Sequence, residues 1–423
     1  MKTPLRRTAA LTLALGLSLC TAQAAPATLV GFASQPADTF AGGPQTGAYS
    51  GGLRGTPRFP GQPVQGLSGV AFGPGGSWLM LADNGLGSKA NSADLLLRVY
   101  RMDIKPARAS GEQGSVKVLG HINLRDPDRK VPWIIKNDAS ADRLLTGYDF
   151  DPESLAVAPD GTLWIGEEFG PYLLHFSADG KLLEAPLQTP ELSALAEKDA
   201  AKRTYVRSPQ HFSFLTGAPQ PGKTSEATIA ASGGYEAMAL SPSGKTLYPM
   251  LERAVLGDSP DLRRLYALDT ATREWSFVGY YPVDTANPDM RTGDMTPINE
   301  DEYLVIERDD LGGGEAKFKK LFVINVRQKD AQGRLLKREL VDLLNIRDPQ
   351  GIGAGTQNGR FSFPYVSVED VMVIDPQTVL VANDNNYPAE GERAPGLKNP
   401  SEFIWLRLDT PLNTGAGVGR PNN

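Results

Sequence analysis

The feature that most restricts how this chain can fold is an internal repeat met five times. Each copy is an acid or serine, an apolar strand, a tight turn, a second apolar strand and a closing acid. The first two copies read Ser68-Gly-Val-Ala-Phe-Gly-Pro-Gly-Gly-Ser-Trp-Leu-Met-Leu-Ala-Asp83 and Glu153-Ser-Leu-Ala-Val-Ala-Pro-Asp-Gly-Thr-Leu-Trp-Ile-Gly-Glu-Glu168. The others run from Glu236 to Glu252, Asp294 to Asp309 and Glu369 to Asp384. A supersecondary unit recurring at such long spacing cannot bury its apolar faces alone, and a ring of such units can.

Pro-Asp-Gly and Pro-Ser-Gly between runs of β-formers make each copy a hairpin. Further strands follow most hairpins, at 95–102, 116–124, 172–176, 265–268, 275–281, 321–326 and 339–344. Four strands per unit is a propeller blade. After the fifth hairpin only 403–408 remains, while 28–33 stands alone near the start, so the N-terminal strand is expected to complete the last blade. The prediction is an all-β propeller of five recognisable blades in one domain, residues 25–423. Segment 185–232 has room for a degenerate blade, which would raise the count to six or seven. It reads better as an insertion with one short helix near 190–203. The 45 glycines and 33 prolines suit the many turns this requires.

Residues 1–24 have the three parts of a secretory signal: Lys2, Arg6 and Arg7, an apolar stretch from Ala9 to Cys20, and Ala22-Gln23-Ala24 as cleavage site. The stretch is too short to span a bilayer. Leu19 stands where lipidation of Cys20 needs a small residue. The expectation is therefore export to the periplasm or the extracellular space with no membrane anchor. Cys20 is the chain's single cysteine, so disulfides and thiolate chemistry are excluded from the mature part. The formal charge of −6 becomes more negative once the basic start is removed, which disfavours nucleic acid and anionic membranes as partners.

In a propeller the innermost strand runs from one rim to the other and the second returns, so both acids of each hairpin lie on one rim. Glu153, Glu236, Asp294 and Glu369 are then expected at the channel mouth, with Asp83, Glu168, Glu252, Asp309 and Asp384 slightly farther out. Converging carboxylates repel unless protonated or bridged by a cation. All candidate ligands are oxygens, which favours Ca²⁺, with Mg²⁺ as the other choice, over zinc. Asp149, Asp151 and Asn383-Asp384-Asn385 add donors around two blades. The structural alternative is that these acids cap loops through backbone N–H groups. The glycine runs 351–355 and 312–314 do not join a strand to a helix and read as loops, not phosphate sites. Of the histidines His121, His175 and His211, His175 alternates as a surface position in a strand, and no Gly-x-Ser-x-Gly is present, so a Ser-His-Asp hydrolase is disfavoured.

At Gly66-Leu-Ser-Gly-Val-Ala-Phe, Leu81-Ala-Asp83-Asn-Gly85, the run from Asp151 to Tyr172, and Val381-Ala-Asn-Asp-Asn-Asn386, the sequence resembles the phytase-like propeller family, "esterase-like activity of phytase". The resemblance implies a propeller, an exported location and a phosphoester or carboxylester substrate with calcium. Two departures stand out. Ser232-Gly-Gly-Tyr235 replaces an Asn-Arg-Gly run before the third acid, and Val368-Glu-Asp370 replaces a Lys-Glu-Gly run.

The expected function is a metal-dependent ester hydrolase acting on a small molecule as a monomer, with phosphomonoesters preferred over carboxylesters. Glu153, Glu236 and Arg308 are the expected catalytic residues, and Glu153, Glu236, Asp294, Glu369, Asp151 and Asp384 the metal ligands. The candidate substrate-neutralising cations are Arg308, beside Asp309, and Arg253, beside Glu252, with Arg143, Lys136 and Arg291 as weaker choices. The competing reading is a non-catalytic binding or scaffold propeller with a structural ion.

Overall fold

A computed structural model describes residues 27–50, 55–193, 204–214, 227–285 and 289–419. The signal segment and the helix expected near 190–203 lie almost wholly outside them.

Each repeat forms the two inner strands of a blade. Blade one is Leu67–Phe72, Trp78–Ala82, Arg98–Lys105 and Ser115–Asn123; blade two is Pro152–Val157, Leu163–Glu167, Tyr172–Phe176 and Leu187–Gln188. Blade three is Ala237–Leu240, Thr246–Met250, Leu262–Asp269 and Trp275–Pro282, and blade four is Arg291–Pro297, Glu302–Arg308, Lys319–Lys329 and Leu335–Asp342. Blade five is Val368–Asp375, Thr378–Asn383, Ser401–Arg407 and, as expected, the N-terminal strand Thr28–Gln35, which runs antiparallel to Ser401–Arg407 from Thr28↔Arg407 to Gln35↔Ser401. Two short strands, Ile346–Arg347 and Phe361 with Arg360, extend that sheet outward. The inner strands contact one another in a closed cycle, so the ring has five blades. Segment 185–232 adds only the fourth strand of blade two among the described residues, not a sixth blade.

Burial explains the change of sequence pattern across a blade. Inner strands are covered on both faces and read as unbroken apolar or small runs, as in Leu67–Phe72, whereas Ser115–Asn123 at a blade's edge alternates with solvent. The core is divided into five apolar clusters, each filling the gap between two neighbouring blades. Between blades five and one, Trp78 meets Trp405 edge to face at 6.4 Å. Turns on one rim are tight, helped by Gly161 and Gly244 at φ +84° and +72°. Long loops gather on the opposite rim, where the inner strands begin.

That rim carries a feature the hairpin pattern does not disclose. The inner strands of blades one, two and five each have a bulge: Leu67 and Gly69 pair across from Ala82 and Leu81, Pro152 and Ser154 from Glu167 and Gly166, Val368 and Asp370 from Asn383 and Ala382. Ser68, Glu153 and Glu369 are thus the extra residues, the position at which a bulge re-aims a side chain. In blade four, Thr292 pairs with Glu307 and Met295 with Val305, so the register places Gly293, not Asp294, at the equivalent position. The same register makes Arg308, not Asp309, the counterpart of the closing acids.

Candidate metal centre at the channel mouth

The carboxylates that converge are Asp151, Glu153, Glu168, Glu236, Glu252 and Glu369, with Asp83 and Asp384 beside them. In three overlapping trios, Asp151–Glu153–Glu168, Glu153–Glu236–Glu369 and Glu168–Glu236–Glu252, one ligand oxygen from each residue lies within 4.8 Å of the others. All six residues are buried. Burial, reinforced by the charges of Asp151, Glu236 and Glu168, pushes the Glu153 carboxyl well above its ordinary range. Burial likewise raises Glu236 and Glu168, and lifts Asp151 to about 6 against hydrogen bonds from Glu153 and Asn84.

The ring is not uniform. Arg308, 3% exposed at its side chain, sets one nitrogen 2.7 Å from Glu369, 3.4 Å from Glu252 and 3.6 Å from Glu236, while its other nitrogen reaches Asp310 at 3.1 Å. Arg291 adds bonds to Glu252 at 3.0 Å and Asp310 at 2.8 Å. On blades three, four and five the carboxylates therefore have guanidinium partners, Arg291 and Arg308 shared among Glu236, Glu252, Glu369 and Asp310. On the side of blades one and two, Asp83, Asp151, Glu153 and Glu168 make no ion pair among the described residues. Their partners are neutral donors: the Asn84 amide to Asp151 at 3.1 Å, the Gly234 amide to Glu168 at 3.0 Å and Gln65 to Asp83 at 3.0 Å. Gly66 permits the last approach, since at φ +58° a Cβ there would stand 1.9 Å from an Asp83 oxygen. One oxygen of Glu236 is buried without a partner.

These residues fit a hard cation: an all-oxygen set, half of it lacking a counter-charge, with an orphaned carboxylate oxygen at its centre. Asp384 stays at the edge, accepting from the Asn386 amide at 2.7 Å. Asp294 is placed apart. Its two oxygens accept from the Met295 and Val371 amides at 2.7 and 2.9 Å, stapling blade four to blade five. Ser154 makes the matching staple from blade two to the Tyr235 carbonyl at 2.6 Å. Asp309 pairs with buried Lys319 at 2.9 Å and caps the Lys317 and Phe318 amides, the loop-capping role that the sequence left open.

Arg308 is thus engaged by the mouth carboxylates Glu236, Glu252 and Glu369. Arg143 is buried against Asp126 and Asp138, and Lys136 lies on the Tyr49 ring. The glycine run 351–355 turns its amides onto Asp348, which accepts from Ile352 and Gly353. His175 is half-buried, the one partly exposed residue of its strand: it stacks on Trp164 at 4.1 Å and bonds Glu184 at 2.9 Å. His211 takes the Ser213 amide and hydroxyl at Nδ1, a local turn and not a catalytic dyad.

A family model described as "Phytase-like: Esterase-like activity of phytase" matches residues 62–387. The chain belongs to the phytase-like family. An uncharacterized secreted protein of Arthroderma benhamiae is 24% identical over 197 residues, covering 40% of this chain and 36% of that protein. The chain thus spans about a third of that relative's length. Among solved structures, an α-L-arabinanase from Penicillium chrysogenum covers 92% of this chain and 100% of its own at 12% identity and TM-score 0.37. A PQQ-bound aldose sugar dehydrogenase from Streptomyces coelicolor covers 82% and 96% at 10% identity and TM-score 0.34. In this phytase-like chain the matched span takes in every carboxylate of the three trios.

Arg291, a weaker candidate when read as a loop residue, is the first residue of an inner strand. One residue near the mouth escaped sequence reasoning. Lys89 carries no motif; only its place in the loop that follows Asp83 could have drawn attention to it.

Proposed function

We propose that the protein is an exported ester hydrolase that depends on a divalent cation, Ca²⁺ first and Mg²⁺ second, held at the channel mouth. A phosphomonoester is the preferred substrate and a carboxylester the second. The observation that carries this reading is the uneven ring: Asp151, Glu153 and Glu168 make no ion pair among the described residues, whereas their neighbours across the axis do. Family membership supports ester chemistry, and the signal-like N-terminus, together with the secreted relative, supports export. No helix of the described residues is long and apolar enough to cross a membrane.

Asp151, Glu153 and Glu168 would hold the ion, with Glu236 and Glu369 on its far side. When bound, it would acidify a water and offset negative charge on the reacting group. Glu153 and Glu236 offer carboxylates to take the proton of the attacking water, and burial, by raising their proton affinity, suits them to that task. Arg308 holds Glu236, Glu252 and Glu369 in place instead of meeting substrate. Asp83 and Asp384 flank the entrance. With water as the attacking group, the reaction would pass through no covalent intermediate.

Arg308 also favours the scaffold reading, because a guanidinium knitting three blades together makes part of the ring purely structural. Turnover of p-nitrophenyl phosphate and p-nitrophenyl acetate, each with Ca²⁺, with Mg²⁺ and with chelator, separates the two. Cleavage lost to chelator and to Glu153→Gln supports the hydrolase. No cleavage of either ester with any of these ions sinks it and leaves the scaffold.

A further inference from the structure

Lys89 lies at the tip of the acid-rim loop of blade one. Its ammonium sits 4.9 Å from the centre of the Tyr148 ring and 4.9 Å from that of Phe169. No carboxylate pairs with it among the described residues. The nearby acids that act on it by charge are Asp149, Glu167 and Asp151. Two of them are engaged elsewhere: Asp149 accepts from the Lys136 and Thr146 amides at 2.7 and 2.9 Å, and Glu167 from the Phe169, Gly170 and Tyr172 amides at 2.7–2.8 Å. These caps fold the loops that present Tyr148 and Phe169. The third, Asp151, belongs to the cation-free half of the ring.

The loop is built to hold this position. Ser92 donates to the Ser88 carbonyl at 2.8 Å and accepts from the Leu86 amide at 3.2 Å, so Lys89 is clasped between two tied residues. Gly147 lets the next loop close on it, since a Cβ there would lie 2.1 Å from the Asn84 carbonyl oxygen. A half-buried ammonium resting on ring faces, with water partly removed, lacks an anionic partner. Such a lysine is a point charge suited to a phosphate oxygen.

Resting on the hydrolase reading above, we propose that Lys89, seated between Tyr148 and Phe169, is the residue that reads an oxyanion on the substrate and so selects phosphate esters over neutral ones. It supplies the cation that Arg308, held by carboxylates, does not. Tyr148, 38% exposed, would cover the organic part of the ester.

Two measurements on the Ca²⁺-loaded full chain test this. Calorimetry with inorganic phosphate should show binding that Lys89→Gln weakens roughly tenfold or more and Lys89→Arg largely restores. Kinetics should show Lys89→Gln raising KM for p-nitrophenyl phosphate by a similar factor, with selectivity for it over p-nitrophenyl acetate falling. An unchanged melting temperature and Ca²⁺ midpoint in Lys89→Gln establish that the fold and the ring are intact. Phosphate bound equally well by wild type and Lys89→Gln, or not bound by wild type, overturns the proposal. If neither ester is cleaved, the hydrolase reading fails, while the calorimetry still decides whether Lys89 binds an oxyanion.

Discussion

Arg308 and Glu153 occupy opposite sides of one electrostatic problem, and their substitutions should move stability in opposite directions. Removing the Arg308 guanidinium leaves Glu236 and Glu369 buried without a counter-charge and Glu252 with Arg291 and Arg253 alone, a loss of about 3–5 kcal/mol by analogy with broken buried pairs. Arg308→Gln should therefore shift urea unfolding at neutral pH strongly toward lower denaturant. A change below 1 kcal/mol would mean that the ring does not depend on it. Glu153→Gln removes one of three mutually repelling carboxylates that lack a protein cation. In chelator this variant should melt at or above the wild-type temperature. In millimolar Ca²⁺ it should lose most of the stabilisation the wild type gains. Melting curves in both conditions check the pair of signs, and equal Ca²⁺ responses in variant and wild type would remove Glu153 from the site.

At the scale of elements, the bulge and the closing strand do the positioning. A bulge at Ser68, Glu153 and Glu369 turns one residue per inner strand toward the axis while the rest of the strand keeps its inter-blade packing. The ring then closes through Thr28–Gln35, which lies between Ser401–Arg407 and the short Ile346–Arg347 strand. Ser68 meets Glu369 at 3.2 Å across that closure, so the metal ring and the velcro strand share one seam. The signal cleavage expected near Ala25 would leave the strand whole. Removal of residues 25–35 should abolish cooperative thermal unfolding, because Trp405, Phe403 and their neighbours lose their outer partner. The milder Gly31→Val, where a Cβ would meet the Pro106 Cβ at 2.7 Å and Trp405 at 3.2 Å, should destabilise by about 1–3 kcal/mol. A truncated chain that unfolds as sharply as the full one would show that the seam is held elsewhere.

For the whole molecule, proton and cation binding are linked. Carboxyls raised in the folded state bind protons more tightly there than in the unfolded chain, so their contribution favours folding at low pH and is lost as pH rises through their folded values. With Asp151 lifted from 3.8 to about 6 by burial, chelated protein should lose stability as pH rises from about 4 to about 6. Below that window the sign reverses. Burial alone would raise Glu184, but hydrogen bonds from His175 and Arg273 hold it at about 2, and that contribution disappears as pH falls from about 4.5 toward 2. Ca²⁺ at about 100 times its Kd should add roughly 2.7 kcal/mol at neutral pH, and less near pH 5, where protons compete for the same oxygens. Calorimetric titration in buffers of different ionisation enthalpy should detect protons released on Ca²⁺ binding. A melting temperature indifferent to Ca²⁺ across this range would count against the metal centre.

What the chain determined by itself is local. Alternation, Pro-x-Gly turns and a repeated acid at each strand end act within about sixteen residues, so the hairpins, the propeller, the rim on which the acids gather and the closing role of residues 28–33 were legible without coordinates. Tertiary structure decided what depends on a single residue of register or on distance across the ring. A hairpin tolerates a bulge without altering its apolar pattern, so sequence alone aligned Asp294 with Glu153 and Asp309 with Glu168, where the folded ladder puts Gly293 and Arg308. That shift turns a presumed ring of acids into one neutralised on one side only. Whether a carboxylate is paired depends on which blades meet, and Arg308, Glu236 and Glu369 come together only when the ring closes. Coulomb interactions between residues 56 and 61 positions apart, as of Arg308 with Glu252 and Glu369, leave no trace in local pattern, and that is where the candidate site was decided.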